Sequence, residues 1–252
     1  MAQLHEITQW YNSYLKVQSI PDYPNAHNGL QVENNGTVHR IASAVDASLD
    51  TIQQAAAQDI DLLIVHHGLF WQGVEMLTGS WRKKCKILLD NNIAVYSSHI
   101  PLDIHPEIGN STLLAKKIGL ENIQSCIPWK GVHLGITGEI NIHRDDLVAK
   151  VAKVTNNNPF SCLKGQEQIK DLLVISGGAG SQIKEIYSHG HRNFLTGESS
   201  QWTVPFAEDN GINLILGGHY HTETFGVDAL AELTIEKFPD LGHSIIRSNN
   251  QL

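Results

Sequence analysis

The sequence predicts an α/β protein, and three observations carry that expectation. Short apolar runs such as Ile41–Val45, Leu62–Val65 and Leu172–Ser176 recur along the chain, the pattern of buried strands. Stretches with helical apolar spacing lie between them. Glycine is plentiful, 21 of 252 residues, and falls where strand-to-helix turns are needed. Strand and helix alternating in this way argue for a sheet that is at least partly parallel.

Each element follows from its own residues. Leu4–Leu15 spaces its apolar side chains as a helix does. Asn28-Gly29 is a strong turn dipeptide, after which Leu30-Gln31-Val32 starts a strand. Ile41–Val45 reads as a strand and Ser48–Gln58 as a helix with Ser48 as N-cap. Asp61–Val65 reads as a buried strand, Trp81–Asn91 as a helix and Ile93–Ser98 as the next strand. Gly109–Ile118 is a helix stopped by Gly119. The character then changes near Ile127-Pro128. Val132–Ile142 alternates as an antiparallel or edge strand would, and Asp145–Val154 is helical with Arg144 or Asp145 as cap. Asn156–Pro159 is a loop. Leu172–Ser176 is a buried strand running into the turn Gly177–Gly180 and a helix through Tyr187. Asn193–Thr196, Ile212–Leu216 and Ser244–Arg247 read as strands, and Trp202–Glu208 and Thr222–Leu233 as helices. One echo is visible: Asp61–Gly68 and Asp171–Gly178 are each a buried strand entering a glycine-bearing turn. Two related halves would produce it, and so would chance.

Bulk composition excludes several classes. Apolar residues make up 41% and charged residues 17%, which is ordinary globular material. The net charge of −8 argues against general binding to duplex nucleic acid or anionic lipid, where a basic face supplies most of the affinity. Cys85, Cys126 and Cys162 are odd in number and far apart, as expected of reduced thiols in a cytoplasmic protein. The first residues lack a basic start followed by an apolar run, so no signal peptide is expected. Apolar runs such as Leu62–Val65 are far too short to span a bilayer.

Three strand ends hold unusual polar residues. His66-His67 follows Leu62–Val65, His99 and Asp103 follow Val95–Ser98, and His219 and Glu223 follow Leu214–Leu216. Ligands of open α/β sheets bind beyond the carboxyl ends of the strands, which is where all three clusters lie. Each has a plain alternative: solvated histidines, a turn-capping aspartate, an acidic first helical turn. Those alternatives weaken when the clusters are taken together. Neighbouring side chains at a strand end diverge, so His66 and His67 could serve different ions. His219 and Glu223, four apart, share one face if a helix has begun. Mixed imidazole and carboxylate donors suit zinc, iron, manganese, cobalt or nickel better than calcium or magnesium. Two such ions lie about 3.5–4 Å apart in two-metal sites and can clamp a bridging water.

These residues resemble the Nif-three-like, YbgI-type dinuclear metal proteins, often labelled GTP cyclohydrolase type-two homologues. The resemblance covers nearly the whole chain. It rests on Asn28–Val32, His66–Trp71, His99–Asp103, Gly109-Asn110, Ser176–Gly180, Thr196-Gly197-Glu198 and Gly218–Glu223. It implies two α/β domains with the metal site at their junction, expected here as residues 1–126 with 214–252 and residues 127–213. It implies a ring-shaped homohexamer, a trimer of dimers. It maps the ligands of two divalent ions onto His66, His67, Asp103, His219 and Glu223, with Glu223 as the bridge and His99 and Glu198 lining the same cavity. This chain resembles the short form, without the inserted domain of some relatives. His27 departs from the pattern; it could add an imidazole to the site or pack in a loop.

Two functions compete. The first is a metal-dependent hydrolase acting on a nucleotide or related small molecule, with His99 or Glu198 moving the proton. The family label suggests opening of the guanine imidazole ring of GTP, yet no P-loop or Rossmann signature is present to hold a triphosphate. Ser176–Gly180 could cradle a phosphate, though a tight turn is the simpler reading, and Arg82-Lys83-Lys84 reads more simply as a solvated helix face. The second is a non-catalytic role, in which the same residues store or deliver metal or stabilise a ring that binds protein partners. A mononuclear hydrolase would instead hold one ion per chain.

Overall fold

Apolar runs bounded by turns become the central strands of two separate sheets. The computed structural model describes residues 1–71 and 75–248. The described chain divides into two units: Met1–Leu102 with residues 226–248, and Asp103–Phe225.

The first unit contains β1 (Ala2–Gln3), α1 (Leu4–Tyr14), β2 (Gly29–Val32), β3 (Thr37–Val38), β4 (Arg40–Asp46), α2 (Leu49–Ala57), β5 (Leu62–His67), α3 (Gly79–Asp90) and β6 (Ala94–Ser97). It ends within the single turn α4 (Ile100–Asp103). The second unit contains α5 (Asn110–Ile118), β7 (Glu121–Trp129), β8 (Val132–His143), α6 (Arg144–Thr155), β9 (Phe160–Leu163) and β10 (Gln168–Val174). It continues with a 3₁₀ turn (Ala179–Gln182), α7 (Ile183–Ser188), β11 (Asn193–Thr196), α8 (Thr203–Asp209), β12 (Asn213–Leu216) and α9 (His219–Thr222). The chain re-enters the first unit within α10 (Thr224–Lys237) and ends its described course after β13 (Gly242–Ile245).

In the first unit the sheet order is β13-β4-β5-β6-β2, parallel except for β2, which runs antiparallel to β6. Ala42, Ala44, Leu63, Val65 and Val95 pack in one core with Ile52 and Ala55 of α2 and Leu88 of α3. Ile41, Leu62, Ile64 and Tyr96, which alternate with them, are also buried. A sheet covered on both faces explains why its strands read as unbroken apolar runs. Ser48 caps α2 as expected, its hydroxyl accepting the Thr51 N–H at 3.0 Å.

In the second unit the order is β7-β8-β10-β11-β12-β9, and only β10, β11 and β12 are mutually parallel. Leu172, Val174, Leu195 and Ile215 pack with Leu114 and Ile118 of α5 and Leu147 and Val151 of α6. Gly119 ends α5 with φ of 87°, the left-handed stop its position called for.

Several expectations need correction. The chain crosses between units at 102/103 and 225/226, where the sequence placed the crossings at 126/127 and 213/214. The difference arises because α5, β7 and β12 belong to the second unit. The sequence reading missed β7, a mostly exposed strand with a register shift between Glu121 and Gln124, so it shows no clean apolar alternation. Because β7 takes the edge, β8 is antiparallel but internal. The cap of α6 is His143, whose Nδ1 accepts the Asp145 N–H at 3.3 Å, and not Arg144 or Asp145. The helix expected over Thr222–Leu233 is α10, which starts at Thr224; Thr222 instead ends the separate turn α9, with Glu223 between the two.

Candidate metal centre

In the first unit, β5 ends on His66 and His67, which lie within the strand. They leave a sheet flanked by parallel neighbours β4 and β6, so the strand end is rigidly framed. His66 is fully buried, and its Nδ1 donates to the Ser98 carbonyl at 2.9 Å. His67 Nδ1 lies 2.8 Å from Asp46 Oδ1, across the register that sets Asp46 opposite His67. His99 Nδ1 lies 2.8 Å from Asp22 Oδ1. Adjacent side chains were expected to diverge, yet the two rings approach to 4.8 Å, and His99 stands 5.0 Å from His66. The three histidines each offer one ligand atom within 4.8 Å of the others. The Trp71 indole meets the His67 and His99 rings edge-on at 5.3 and 4.7 Å.

A glycine and two side-chain amides shape this end of the unit. A side chain at Gly68 would strike the Gln31 amide at 2.4 Å, and Gln31 Oε1 accepts the Leu69 N–H at 2.6 Å. Gln31 thus ties the histidine turn to β2. The Asn28 amide donates to Asp22 Oδ2 at 2.8 Å while its oxygen accepts the His99 N–H at 2.7 Å. Burial of Asp22 opposes its charge, but the His99, Asn28 and Tyr23 hydrogen bonds outweigh it and hold the carboxyl below its ordinary range. His27 is exposed, with its ring edge-on to Phe70 at 6.4 Å; it belongs to a loop and is outside the histidine cluster.

In the second unit, Gly218, at φ 92°, turns the chain from β12 into α9. That single turn places His219 Nε2 3.2 Å from Glu223 Oε2. Glu198 approaches the other nitrogen, Nδ1, at 3.0 Å. Burial works against a charge on His219, but Glu223 and then Glu198 outweigh it and push the imidazole up to about 9. Glu223 is 2% exposed, a carboxylate kept from water beside an imidazole. Asp103 is also buried; its Oδ1 accepts from Asn110 Nδ2 at 2.8 Å and from Ser176 Oγ at 3.1 Å. Asp103 and Glu223 each bring an oxygen into one ligand group within 4.8 Å.

The turn after β10 has a function that its sequence did not disclose. Gly177 has φ of 68°, and a Cβ there would lie 2.1 Å from Glu223 Oε1. Its N–H donates to Thr222 Oγ1 at 3.0 Å, and its carbonyl accepts the Gly197 and Glu198 N–H groups at 2.9 and 3.0 Å. The turn is therefore a seat for the Glu223 carboxylate. Asp22, Asp46 and Ser176 were missed as partners of the site residues. Asp46 had a usable signal, since it directly follows the predicted strand Ile41–Val45, as His66 and His67 follow Leu62–Val65; Asp22 had none.

The fold and these donor groups define an α/β protein with His, Asp and Glu clusters able to hold a metal ion. The chain belongs to the Duf34/NIF3 (NGG1p interacting factor 3) family, whose model matches residues 2–251. It is 41% identical over 236 residues to a GTP cyclohydrolase 1 type 2 homolog of Pyrococcus abyssi, covering 92% of this chain and 93% of that protein. A Deinococcus radiodurans protein of the same description is 35% identical over 235 residues, covering 92% and 89%. Among solved structures, protein ybgI, described as of unknown function, superposes with a TM-score of 0.91 at 33% identity, covering 99% and 100%. TTHA1606 from Thermus thermophilus gives 0.88 at 30% identity, with the same coverage. Among the described residues no helix is long and apolar enough to cross a membrane.

Proposed function

We propose that the two donor sets serve one dinuclear centre, in which His66, His67, Asp103, His219 and Glu223 hold two divalent ions of the iron, zinc, manganese, cobalt or nickel class. One observation carries this reading. The three clustered imidazoles, His66, His67 and His99, each engage an acceptor through Nδ1, which directs the lone pair to Nε2, the form a metal takes. The buried Glu223 against His219 supports it, because a desolvated carboxylate calls for a cation. The donors fit borderline metals, being nitrogen and carboxylate oxygen together.

The activity we propose is hydrolysis of a nucleotide or related small molecule. A bound ion pair would supply Lewis acidity and an activated water. His99, held at Nδ1 by Asp22, would accept or return a proton at Nε2. Glu198, half exposed beside His219, would be the second proton carrier. We further propose a homohexameric ring working in the cytoplasm, in keeping with the family resemblance and the reduced thiols.

A second reading has its own support. The Ser176–Gly180 turn, a candidate phosphate cradle, seats the Glu223 carboxylate at Gly177, and a negative group there disfavours a phosphate. The same donors would then store or deliver metal without turnover. Loading the purified chain with iron, manganese or zinc should give about two ions per chain, and His67→Ala should lose one. One ion or none in the wild type would end the dinuclear reading. Nucleotides and phosphoesters are then screened with the loaded protein, with His67→Ala as control; absence of turnover on every substrate would favour storage or delivery.

A further inference from the structure

We propose that Asp46 and Asp22 are positioning residues, which lock His67 and His99 in the tautomer that presents Nε2. The inference deepens the dinuclear reading where it concerns metal affinity. A neutral imidazole has one N–H and one lone pair, and the group facing one nitrogen decides the state of the other. A carboxylate only accepts, so Asp46 draws the proton of His67 to Nδ1, and Asp22 does the same for His99. The Ser98 carbonyl acts in the same way on His66. Three acceptors of different origin thus impose one tautomer on three neighbouring rings.

Both aspartates are themselves fixed. Asp46 stands opposite His67 in the β4–β5 register, so the sheet sets the pair. Asp22 accepts the Tyr23 N–H at 2.7 Å on Oδ1, and Asn28 Nδ2 at 2.8 Å and the Ile100 N–H at 3.1 Å on Oδ2. With donors on both oxygens its plane cannot turn. Its side chain is only 6% exposed, and a carboxylate so far removed from water is costly unless its partners require it. Of these two residues Asp46 acts on a proposed ligand and Asp22 on a proposed proton carrier, so they should differ in their effects on metal.

The test uses the full-length chain labelled with ¹⁵N-histidine and stripped of metal, at a pH where the imidazoles are neutral. Long-range proton–nitrogen correlation should show His67 and His99 protonated at Nδ1. Asp46→Ala should move His67 toward the Nε2–H form and weaken zinc binding by about 10–100-fold. Asp46→Asn, whose amide oxygen still accepts, should restore the tautomer. Asp22→Ala should shift His99 alone, with Asp22→Asn as its folded control. A purely structural role would lower the melting midpoint and leave tautomers and zinc affinity unchanged, which would overturn the proposal. So would a wild-type His67 carrying its proton on Nε2. If the wild type takes up none of iron, manganese and zinc, the dinuclear reading fails, and the tautomer comparison still decides the assignment of Asp46 and Asp22.

Discussion

Single atoms decide much of the site, and Gly177 is the clearest case. Its positive φ already disfavours any other residue, and a methyl group there would sit 2.1 Å from Glu223 Oε1. Gly177→Ala should therefore displace a proposed bridging ligand and destabilise the chain by about 1–3 kcal/mol. Metal content and a denaturant melt check it; full metal loading with an unchanged midpoint would contradict the seat described for Glu223. Asp22 gives a pH dependence. Its carboxyl is held below its ordinary value, so it adds stability that is present above the unfolded value, near 3.8, and is lost as pH falls through the folded one. Replacing it with Asn should flatten the acid limb of the stability profile. An acid limb of wild-type steepness in Asp22→Asn would show that Asp22 contributes none of it.

At the scale of elements, propensity and capping account for most of what forms. Ser48→Ala should cost about 1 kcal/mol by stranding the Thr51 N–H, while Ser48→Gly should cost only a few tenths. Equal losses in the two variants would place the effect elsewhere than in the cap. Strand β7 carries Cys126, whose thiol burial pushes up to about 11. At pH 8 about one thiol in a thousand would then be ionised. The thiols of Cys85 and Cys162 are likewise raised by burial. Native protein should show no fast-reacting thiol toward a disulfide reagent, and all three should react once unfolded. A single rapid equivalent in the native state would refute this.

For the whole molecule, metal should be a folding ligand as well as a reagent. A ligand that binds only the folded chain adds about 2.7 kcal/mol when present at a hundred times its dissociation constant. Chelation should accordingly lower the melting midpoint, and zinc should restore it. Identical midpoints with and without chelator would mean that the donor sets bind no ion under those conditions. A light-scattering mass of six chains is the expected assembly, and a monomer would remove the proposed ring.

Much of this was legible from residue order alone. Apolar runs marked the strands Arg40–Asp46, Leu62–His67 and Asn193–Thr196, because both faces of these sheet centres are buried and apolar side chains dominate them. The same local logic located His66, His67, His99, Asp103, His219 and Glu223 at strand ends, since chemistry collects where the sheet stops. Tertiary structure alone decided what holds them. The pairs Asp22–His99 and Gly177–Glu223 lie 77 and 46 residues apart in the sequence, and short-range pattern has no reach over that distance. The exposed edge strand β7 and the true crossing points were hidden for a related reason. An edge strand that buries little carries little periodic signal, and a division between units depends on which sheet a segment joins.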